Sequence, residues 1–418
     1  MPSAGWEKRG MLLGGLALSL LLGGTDAEAG VLRAWTAYAA GGTVEARVIT
    51  DAAACPEISV NGVAGPMTLR QAPDDKFPVR TCAQTLPADA QNAIVEGQTL
   101  PVPVARPRRI VVFGDTGCRL KGKIIQACND SREWPFQRVA DLAAQAHPDL
   151  VIHVGDYNYR ENACPAGDPR CAGTPWGDNW ATWDAEFFAP ASLLLKAAAW
   201  VTERGNHEDC RRAGLGWTVF LSADPVAAPC SAHDRPYVVD LGGFKMAVVD
   251  DNDADEDNPK PAVVARLHDD LQAMLAAQPD WLLTHHPVRG VNAVAAKGGS
   301  LEGANGTLMA ALQGLDEQPL RLILSGHIHN FQIENYQGRH PPQLVAGVGG
   351  DLLDKRTPPR FSGQPVGDTT VISGLAVASF GYLIMDRQKD GWSIILHGAD
   401  GAVLRRCHWG CRRISCPL

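Results

Sequence analysis

The stretch RRIVVFGDTG, residues 108–117, decides the fold. Within it, the apolar run at residues 109–113 is followed directly by glycine and aspartate. A run without polar alternation is typical of a strand that is buried on both faces of a parallel sheet. A second run of this kind, residues 150–154, ends at Gly155 and Asp156. The pattern predicts a sheet with polar residues just beyond the carboxyl ends of its strands.

Further segments along the chain repeat this organisation. Apolar runs occur at residues 198–202, 245–249, 281–283 and 321–324. Helical spacing occurs between runs, at residues 136–146, 261–277 and 303–312. This alternation predicts a layered α/β architecture. Near the end, residues 380–387, 392–397 and 402–406 are separated by Asp-Gly turns and predict an antiparallel meander.

The residues before this region have a different pattern. Between residues 30 and 107, short β-type runs at 44–50, 57–60 and 93–95 are separated by turn residues and predict a small β domain. The proline-rich stretch 101–107 predicts a stiff linker, because proline favours extended backbone. The α/β domain is therefore predicted to span residues 108–406, and residues 407–418 form a cysteine-rich tail.

Composition limits the classes of function. The chain has 418 residues, of which 45% are hydrophobic and 20% charged, so it can bury a large core. Its net charge is -8 and its pI about 5.8. This acidic balance argues against nucleic acid as a partner, since binding to its phosphates requires a basic face. An anionic substrate must therefore be attracted locally.

Residues 1–29 are predicted to be a signal peptide. Lys8 and Arg9 precede a short apolar run at residues 11–24, and small residues near Ala29 suit cleavage. The run is shorter than a membrane span requires, and no other segment is apolar for long enough. We therefore expect an exported protein, periplasmic or extracellular, without stable membrane insertion. An uncleaved anchor is the alternative.

All 11 cysteines lie after the predicted signal, which fits an oxidising compartment. Proximity along the chain suggests four disulfides: Cys55–Cys82, Cys118–Cys128, Cys164–Cys171 and Cys210–Cys230. The tail adds Cys407, Cys411 and Cys416. A disulfide there is favoured over a zinc site completed by His408. The odd total leaves one thiol free or intermolecular.

Five loops carry the residue types that bind metals. They are GDTG at 114–117, GDYNY at 155–159, GNHE at 205–208, THHP at 284–287 and GHIH at 326–329. Each follows an apolar run, and ligands bind beyond the carboxyl ends of strands in α/β sheets. A single Gly-Asp pair is commonly only a turn. Five such loops together predict a shared metal centre.

The ordered motifs GDxG, GDxxY, GNHE, LxxH and GHxH resemble the purple acid phosphatase branch of the calcineurin-like metallophosphoesterases. The resemblance implies a four-layer α/β/β/α sandwich, here preceded by a small β-sandwich-like domain. It also implies two metal sites that share a bridging Asp156. The ligands implied for the first metal are Asp115, Tyr159 and His329, and those for the second are Asn206, His285 and His327.

The two implied sites differ in their donors. Carboxylate and phenolate oxygens suit Fe³⁺, whereas imidazoles and an amide oxygen suit a divalent ion such as Zn²⁺, Fe²⁺ or Mn²⁺. Most of the superfamily is expected to carry a histidine where this chain has Gly117. Tyr159 is the compensating ligand, and its anionic phenolate favours the trivalent ion.

The resemblance implies hydrolysis of a small phosphate ester by metal-activated water, with Asp156 and His207 in the catalytic site. His207 is the candidate acid for the leaving oxygen. The family's further catalytic histidine is missing, because no histidine lies between His286 and His327. An acid phosphomonoesterase is the first interpretation. A phosphodiesterase or nucleotidase is the second, and a non-catalytic binding module the third.

Four other features are predicted to be structural. His286 is expected to point away from the metals, because neighbouring side chains in extended backbone alternate sides. The acidic residues 250–257 are predicted to form a solvated loop. Tryptophans Trp176, Trp180 and Trp183 are expected to pack an insertion rather than to form a pocket rim. Surface ion pairing is expected for Arg119, Arg160 and Arg204.

Overall fold

A computed structural model of the chain describes residues 1–4, 30–226, 230–294, 300–410 and 412–417. Most of the predicted signal peptide and Cys411 lie outside these residues. Within the described ranges, no helix combines the length and the apolar character that crossing a bilayer requires.

The strands are numbered in chain order. The first thirteen are β1 (Val31–Tyr38), β2 (Val44–Thr50), β3 (Glu57–Val60), β4 (Val63–Pro66), β5 (Thr68–Gln71), β6 (Arg80–Leu86), β7 (Ala93–Val95), β8 (Gln98–Leu100), β9 (Arg109–Phe113), β10 (Leu120–Lys121), β11 (Ile124–Ile125), β12 (Leu150–His153) and β13 (Ala199–Thr202). The others are β14 (Tyr237–Asp240), β15 (Lys245–Val248), β16 (Trp281–Leu283), β17 (Val291–Val294), β18 (Ser300–Gly303), β19 (Leu322–Ser325), β20 (Phe331–Tyr336), β21 (Gln343–Ala346), β22 (Arg360–Phe361), β23 (Pro365–Val366), β24 (Thr369–Val377), β25 (Gly381–Gln388), β26 (Gly391–Gly398), β27 (Val403–Gly410) and β28 (Arg413–Ser415).

The helices are fewer and mostly short. They are α1 (Phe136–Gln145), α2 (Trp180–Trp183), α3 (Ser192–Leu195), α4 (Gly214–Gly216), α5 (Pro261–Ala276) and α6 (Gly306–Leu312). Two π-helical turns, Asp184–Phe188 and Trp217–Leu221, continue α2 and α4. The three helices predicted from spacing correspond to α1, α5 and α6.

The first sheet has 11 strands in the order β28-β27-β26-β25-β9-β12-β13-β1-β2-β6-β5. Strands β9, β12 and β13 are parallel. The meander β25 to β27 joins antiparallel on one side, as predicted. On the other side, β1 pairs parallel with β13. This sheet therefore unites strands from the beginning, middle and end of the chain.

The second sheet has nine strands, with the path β14-β15-β16-β19-β21-β20-β24-β22 and β23 paired to β24. Its centre, β15, β16 and β19, is parallel. A core between the two sheets contains Ile110 and Val112 of β9 together with Met246 and Val248 of β15. The two sheets are thus packed face to face.

Helices cover the outer faces of both sheets. Val111 and Phe113 alternate with the inner residues of β9 and pack with Phe136 of α1. In the second sheet, Ala247 packs with Leu271 of α5. This alternation explains the continuous apolar runs, because both faces of each central strand are buried. The order helix, sheet, sheet, helix confirms the predicted four-layer fold.

The N-terminal region is rich in strands, as predicted. Strands β3, β4, β7 and β8 form a small separate sheet, while β1, β2, β5 and β6 extend the first sheet across residue 108. Likewise, β27 continues beyond residue 406 and β28 pairs with it. The domain boundaries at 108 and 406 stay predictions of the sequence, and sheet pairing runs across both.

Five disulfides join the described cysteines. The four predicted pairs are confirmed: Cys55–Cys82, Cys118–Cys128, Cys164–Cys171 and Cys210–Cys230. In the tail, Cys407 pairs with Cys416, which confirms the preference for a disulfide over a zinc site.

Candidate metal centre

The five motif loops follow the carboxyl ends of β9, β12, β13, β16 and β19. The first three strands belong to the first sheet and the last two to the second. Hydrogen bonds join the loops across the sheets: the backbone N–H of His327 donates to Asp115 Oδ1 over 3.1 Å. The loops therefore meet at one place, as the sequence predicted.

Asp115, Asp156 and His329 form the first group of potential ligands, with one atom from each within 4.8 Å of the others. The hydroxyl of Tyr159 lies among them. Its Oη is 3.1 Å from Asp115 Oδ1, 2.7 Å from Asp156 Oδ2 and 3.0 Å from His329 Nε2. This set of oxygen donors and one imidazole fits a hard metal ion.

Asp156, His285 and His327 form the second group, again with ligand atoms within 4.8 Å of one another. Asn206 joins it, because its Oδ1 is 3.2 Å from His285 Nε2. Asp156 belongs to both groups and can bridge two ions. Each group also combines residues of both sheets, since Asp156 follows β12 whereas the histidines follow β16 and β19.

Backbone carbonyls fix the orientation of two of the histidines. The Nδ1–H of His285 donates to the Val154 carbonyl oxygen over 2.8 Å. The Nδ1–H of His329 donates to the Leu352 carbonyl oxygen over 2.9 Å. Since a carbonyl only accepts, each ring carries a proton on Nδ1, which leaves Nε2 as the nitrogen that can bind a metal once a cation displaces its proton.

Three residues of the two groups have a left-handed backbone. The φ angles are 55° at Asp115, 60° at Asp156 and 66° at His327. This region is uncommon for residues with a Cβ, and strain of this kind clusters at functional sites. The backbone is therefore bent sharply at the points where these side chains enter the centre.

Gly117 and Tyr159 compete for the same space. A Cβ added at Gly117 would lie 2.7 Å from the Tyr159 ring and 2.5 Å from Glu186 Oε1. A histidine at position 117 therefore cannot coexist with Tyr159 in this arrangement. The geometry gives a steric reason for the complementary residues noted in the sequence.

Residues 108–331 match the family model of the calcineurin-like phosphoesterases. The chain belongs to this family. Its members are metal-dependent hydrolases, and the two groups of donors around Asp156 fit the dinuclear centre that the family implies. No curated protein matches the chain significantly over its sequence.

Solved structures show the same fold. A purple acid phosphatase from yellow lupin (Lupinus luteus) seeds has a TM-score of 0.56 and 16% identity, over 90% of this chain and 74% of that chain. PhoD has a TM-score of 0.50 and 9% identity, over 92% of this chain and 91% of that chain. At these identities the likeness concerns the fold alone.

Charges in this metallophosphoesterase favour cations at the centre. Burial lowers the pKa of His285, but the Asp156 carboxylate opposes burial and raises this pKa to about 10. Burial also opposes protonation of His329, whose pKa Asp351 raises to about 9. Burial, together with Asp115, raises the pKa of the Tyr159 phenol well above its usual value. A bound cation competes with protons at each of these groups.

His207 lies against the first group of donors. Its backbone N–H donates to Asp156 Oδ1 over 2.9 Å, and its ring lies 3.9 Å from the Tyr159 ring, centroid to centroid. His207 Nδ1 is 3.0 Å from Glu161 Oε1. Burial raises the pKa of Glu161, but contact with His207 outweighs it and brings the pKa to about 2. His207 therefore has an anionic neighbour at Nδ1.

Sequence reasoning missed three carboxylates of the phosphoesterase centre. They are Glu161, Glu256, which lies 3.1 Å from His327 Nε2, and Asp351, which lies 3.3 Å from His329 Nδ1. Asp351 also binds Arg119, and the Arg119 guanidinium covers the Tyr159 ring at 4.7 Å. Two of them had a sequence signal: Glu161 is two residues after Tyr159, and Glu256 lies in the acidic segment 250–257 that was assigned to a solvated loop. Asp351 comes from a segment without a motif.

His286 belongs to neither ligand group, as expected, but it lies closer to the centre than an outward orientation implies. Its ring is 4.3 Å from the His327 ring, and both histidines line an open depression that also contains Asn206. The chain bends immediately after β16, so the alternation of extended backbone does not apply there. His286 Nδ1 is 3.2 Å from Asp251 Oδ2.

The acidic segment at residues 250–257 is not uniformly solvated. Asp250 and Asp251 are buried. Asp251 accepts the backbone N–H groups of His285 and His286 over 2.8 and 3.0 Å. Asp250 pairs with Arg204 over 3.3 Å. The first half of the segment therefore supports the loop that carries His285.

The flanking arginines are also more buried than expected. Arg160 and Arg204 are buried, and Arg160 Nε lies 4.0 Å from Glu186 Oε1. Two of the three tryptophans pack as predicted: Trp183 is buried against Tyr157 and Phe220, and Trp180 contacts Phe188 and Phe220. Trp176 is exposed, so the prediction that it packs was wrong. None of the three lines the depression that contains His327.

Proposed function

We propose that this phosphoesterase is an exported acid phosphatase that hydrolyses phosphate monoesters with a ferric and a divalent ion. One observation carries the proposal. The Tyr159 hydroxyl lies within 3.1 Å of donor atoms of Asp115, Asp156 and His329, beside a glycine that leaves no space for an imidazole. An anionic phenolate in this place favours the trivalent ion.

The proposed ligands follow the two observed groups. Asp115, Tyr159 and His329 would hold the ferric ion, and Asp156 would serve both ions. Asn206, His285 and His327 would hold the divalent ion. When bound, the two ions lower the pKa of a water molecule and stabilise the phosphoryl charge.

The phosphoryl group enters from a depression of about 440 Å³ beside Asn206, His286 and His327. Its lining includes three cations and four carboxylates: Arg211, Arg212, Lys260, Asp209, Asp253, Asp255 and Glu256. Since this lining has no excess of positive charge, bound metal ions would be the main attraction for the substrate dianion.

His207 donates a proton to the leaving oxygen. Glu161 lies 3.0 Å from Nδ1, so that Nε2 stays available to the substrate. Ring contact with Tyr159 fixes the plane of the imidazole. Glu161 is thus a positioning residue that acts through His207.

Export is proposed from the predicted signal peptide together with the five disulfides. Several disulfides in one chain are typical of oxidising compartments outside the cytosol.

A comparison of two substrates tests the activity. The metal-loaded protein should hydrolyse para-nitrophenyl phosphate with a higher kcat/KM than bis(para-nitrophenyl) phosphate near pH 5. The second candidate, a phosphodiesterase or nucleotidase, is favoured by the lack of a histidine between His286 and His327. Preference for the diester would replace the monoesterase proposal with this candidate.

Two variants test the roles of the site residues. His207→Ala should retain both metals and lower kcat by about 10²- to 10⁴-fold for a poor leaving group. His408→Ala, an exposed histidine in β27, is the matched control. Asp156→Ala should lose both metals, because one carboxylate serves both groups. If Asp156→Ala retains two metals per chain, Asp156 does not bridge them. If turnover is unchanged in His207→Ala, His207 is not the acid.

A further inference from the structure

A basic depression lies at the end of the first sheet opposite the metal centre. It measures about 690 Å³ and is lined by Arg106, Arg108, Arg387, Gln388 and Lys389. Arg108 precedes β9, whose other end leads to Asp115. Five residues of β9 separate the two ends, which is roughly 16 Å of extended strand. The depression is therefore separate from the metal centre.

The cations of this depression lack carboxylate partners. No ion pair joins Arg106, Arg108, Arg387 or Lys389 to a carboxylate in the described part of the chain. Two carboxylates close to these residues have other partners. Asp149 accepts the backbone N–H groups of residues 108 and 109, and Asp386 binds the Arg109 guanidinium over 2.7 Å. Four positive charges thus stay uncompensated on a protein with a net charge of -8.

Two of the guanidinium groups are held close together. A Cβ added at Gly243 would lie 3.5 Å from Arg106 Nη2 and 3.7 Å from Arg387 Nη1. The Arg387 guanidinium lies over the rings of Phe244 and Trp392, at 5.1 and 5.3 Å. These aromatic rings fix its position by cation–π contact.

Arg387 also has an unpaired donor. Its Nη1 is buried and has no hydrogen-bond partner among the described residues. Burial, and then the charge of Arg106, lowers the pKa of Arg387. Keeping like charges together with an unpaired buried donor is unfavourable unless an anion compensates them.

We propose that this depression binds a small molecule that carries two or more phosphate or sulfate groups. Guanidinium groups bind such oxyanions with paired hydrogen bonds. Four cations match more than one anionic group, and the volume is typical of small-molecule sites. The site takes its ligand independently of ester hydrolysis.

Calorimetric titration of the metal-loaded protein with myo-inositol hexasulfate tests the proposal, because this probe carries no phosphoryl group. Wild type should bind one equivalent. Arg106→Gln should weaken binding about tenfold, and Arg106→Gln/Arg387→Gln should weaken it further. Arg406→Gln, which removes an exposed arginine of β27, should bind like wild type. Hydrolysis of para-nitrophenyl phosphate should be unchanged in all three variants.

Several outcomes would overturn the proposal. They are no binding by wild type, undiminished binding by the double variant, or an equal loss in Arg406→Gln, which would indicate unspecific attraction. If Arg387→Gln disturbs the packing on Phe244 and Trp392, the single variant Arg106→Gln is sufficient as the test, because Arg106 is exposed. Since hydrolysis is measured separately, failure of the anion site and failure of the phosphatase proposal are distinguishable.

Discussion

At the residue scale, Tyr159 is fixed by contacts of both its hydroxyl and its ring. Its hydroxyl contacts the donors Asp115, Asp156 and His329, while the ring lies between the Arg119 guanidinium and His207. Tyr157, two residues earlier, faces elsewhere: its ring stacks on His153 at 3.8 Å, and its hydroxyl has no hydrogen-bond partner in the described ranges. The two tyrosines therefore allow a matched test.

Replacing Tyr159 by Phe removes one oxygen and keeps the ring. We expect the iron-loaded wild type to be pink to purple by phenolate-to-iron charge transfer, and Tyr159→Phe to be bleached with weaker ferric binding. The metal-free variant should remain folded, since both ring contacts persist. Visible absorption and iron titration measure this. Bleaching in Tyr157→Phe instead would show that the ligand is the other tyrosine.

Glu334 in β20 is a second informative residue. It is fully buried, its Oε1 accepts the Val291 N–H over 3.3 Å, and its Oε2 has no partner among the described residues. Burial raises the pKa of Glu334 well above its usual value. The folded protein therefore holds a proton that the unfolded chain releases above about pH 4.5. This contribution to stability is complete below that pH and is lost as the pH rises.

Glu334→Gln should remove this pH dependence, because the amide is neutral throughout. The thermal midpoint of the variant relative to wild type should rise between pH 5 and pH 8. Scanning calorimetry of both proteins at several pH values measures the difference. A constant difference over this range would mean that Glu334 is ionised in the folded protein.

At the scale of elements, Asp178 links the two connections on either side of β13. The first, between β12 and β13, contains α2 and its π-helical turn, and the second, between β13 and β14, contains α4 and its π-helical turn. The Asp178 carboxylate accepts Trp183 Nε1–H over 2.9 Å and the backbone N–H groups of Leu215 and Gly216 over 2.9 and 3.0 Å. The Trp183 ring fills the space beside Gly216, where a Cβ would lie 1.9 Å from Nε1.

Gly216→Ala should therefore push Trp183 away and destabilise the fold by about 1–3 kcal/mol, as overpacking does. Gly65→Ala in β4 is the control, because a Cβ there meets open space. It should change stability by less than about 0.5 kcal/mol. Urea unfolding measures both. Equal stability of the two variants would show that Trp183 moves freely.

Some elements of the fold could be predicted from the sequence and others could not. The central strands and the ligand loops could be predicted, because apolar runs and motifs are local patterns. The pairing of β1 with β13 could not, since it joins residues far apart in the chain. For the same reason the roles of Glu256 and Asp351 could not be predicted: their proximity to His327 and His329 depends on the paths of long loops.

At the scale of the whole molecule, the N-terminal region shares the core of the rest. Ala34 and Val48 pack between the sheets, while Trp35 and Ile49 pack with the outer helices of the first sheet. Arg70 reaches Ser222 and donates to its carbonyl oxygen over 2.7 Å. Burial of each large apolar side chain contributes roughly 1.5–3 kcal/mol to the free energy of unfolding.

A chain reduced to residues 108–418 should therefore lose cooperative folding, because removal of β1 exposes the edge of β13. A chain of residues 30–418 should fold like the complete protein. Near-ultraviolet circular dichroism during thermal unfolding measures cooperativity. A sharp transition in the 108–418 chain would show that the predicted boundary separates two independent domains.

Each of the two ligand groups contains residues from both sheets. Bound metals would therefore hold the two sheets together. An ion that binds only when the sheets are docked adds its binding free energy to their association by mass action. Chelation should then loosen the contact between the sheets while leaving hydrogen bonds within each sheet intact. Hydrogen exchange would report it as faster opening of residues that face the other sheet, such as Val112 and Val248. Metal supply would in this way set the lifetime of the folded protein as well as its activity.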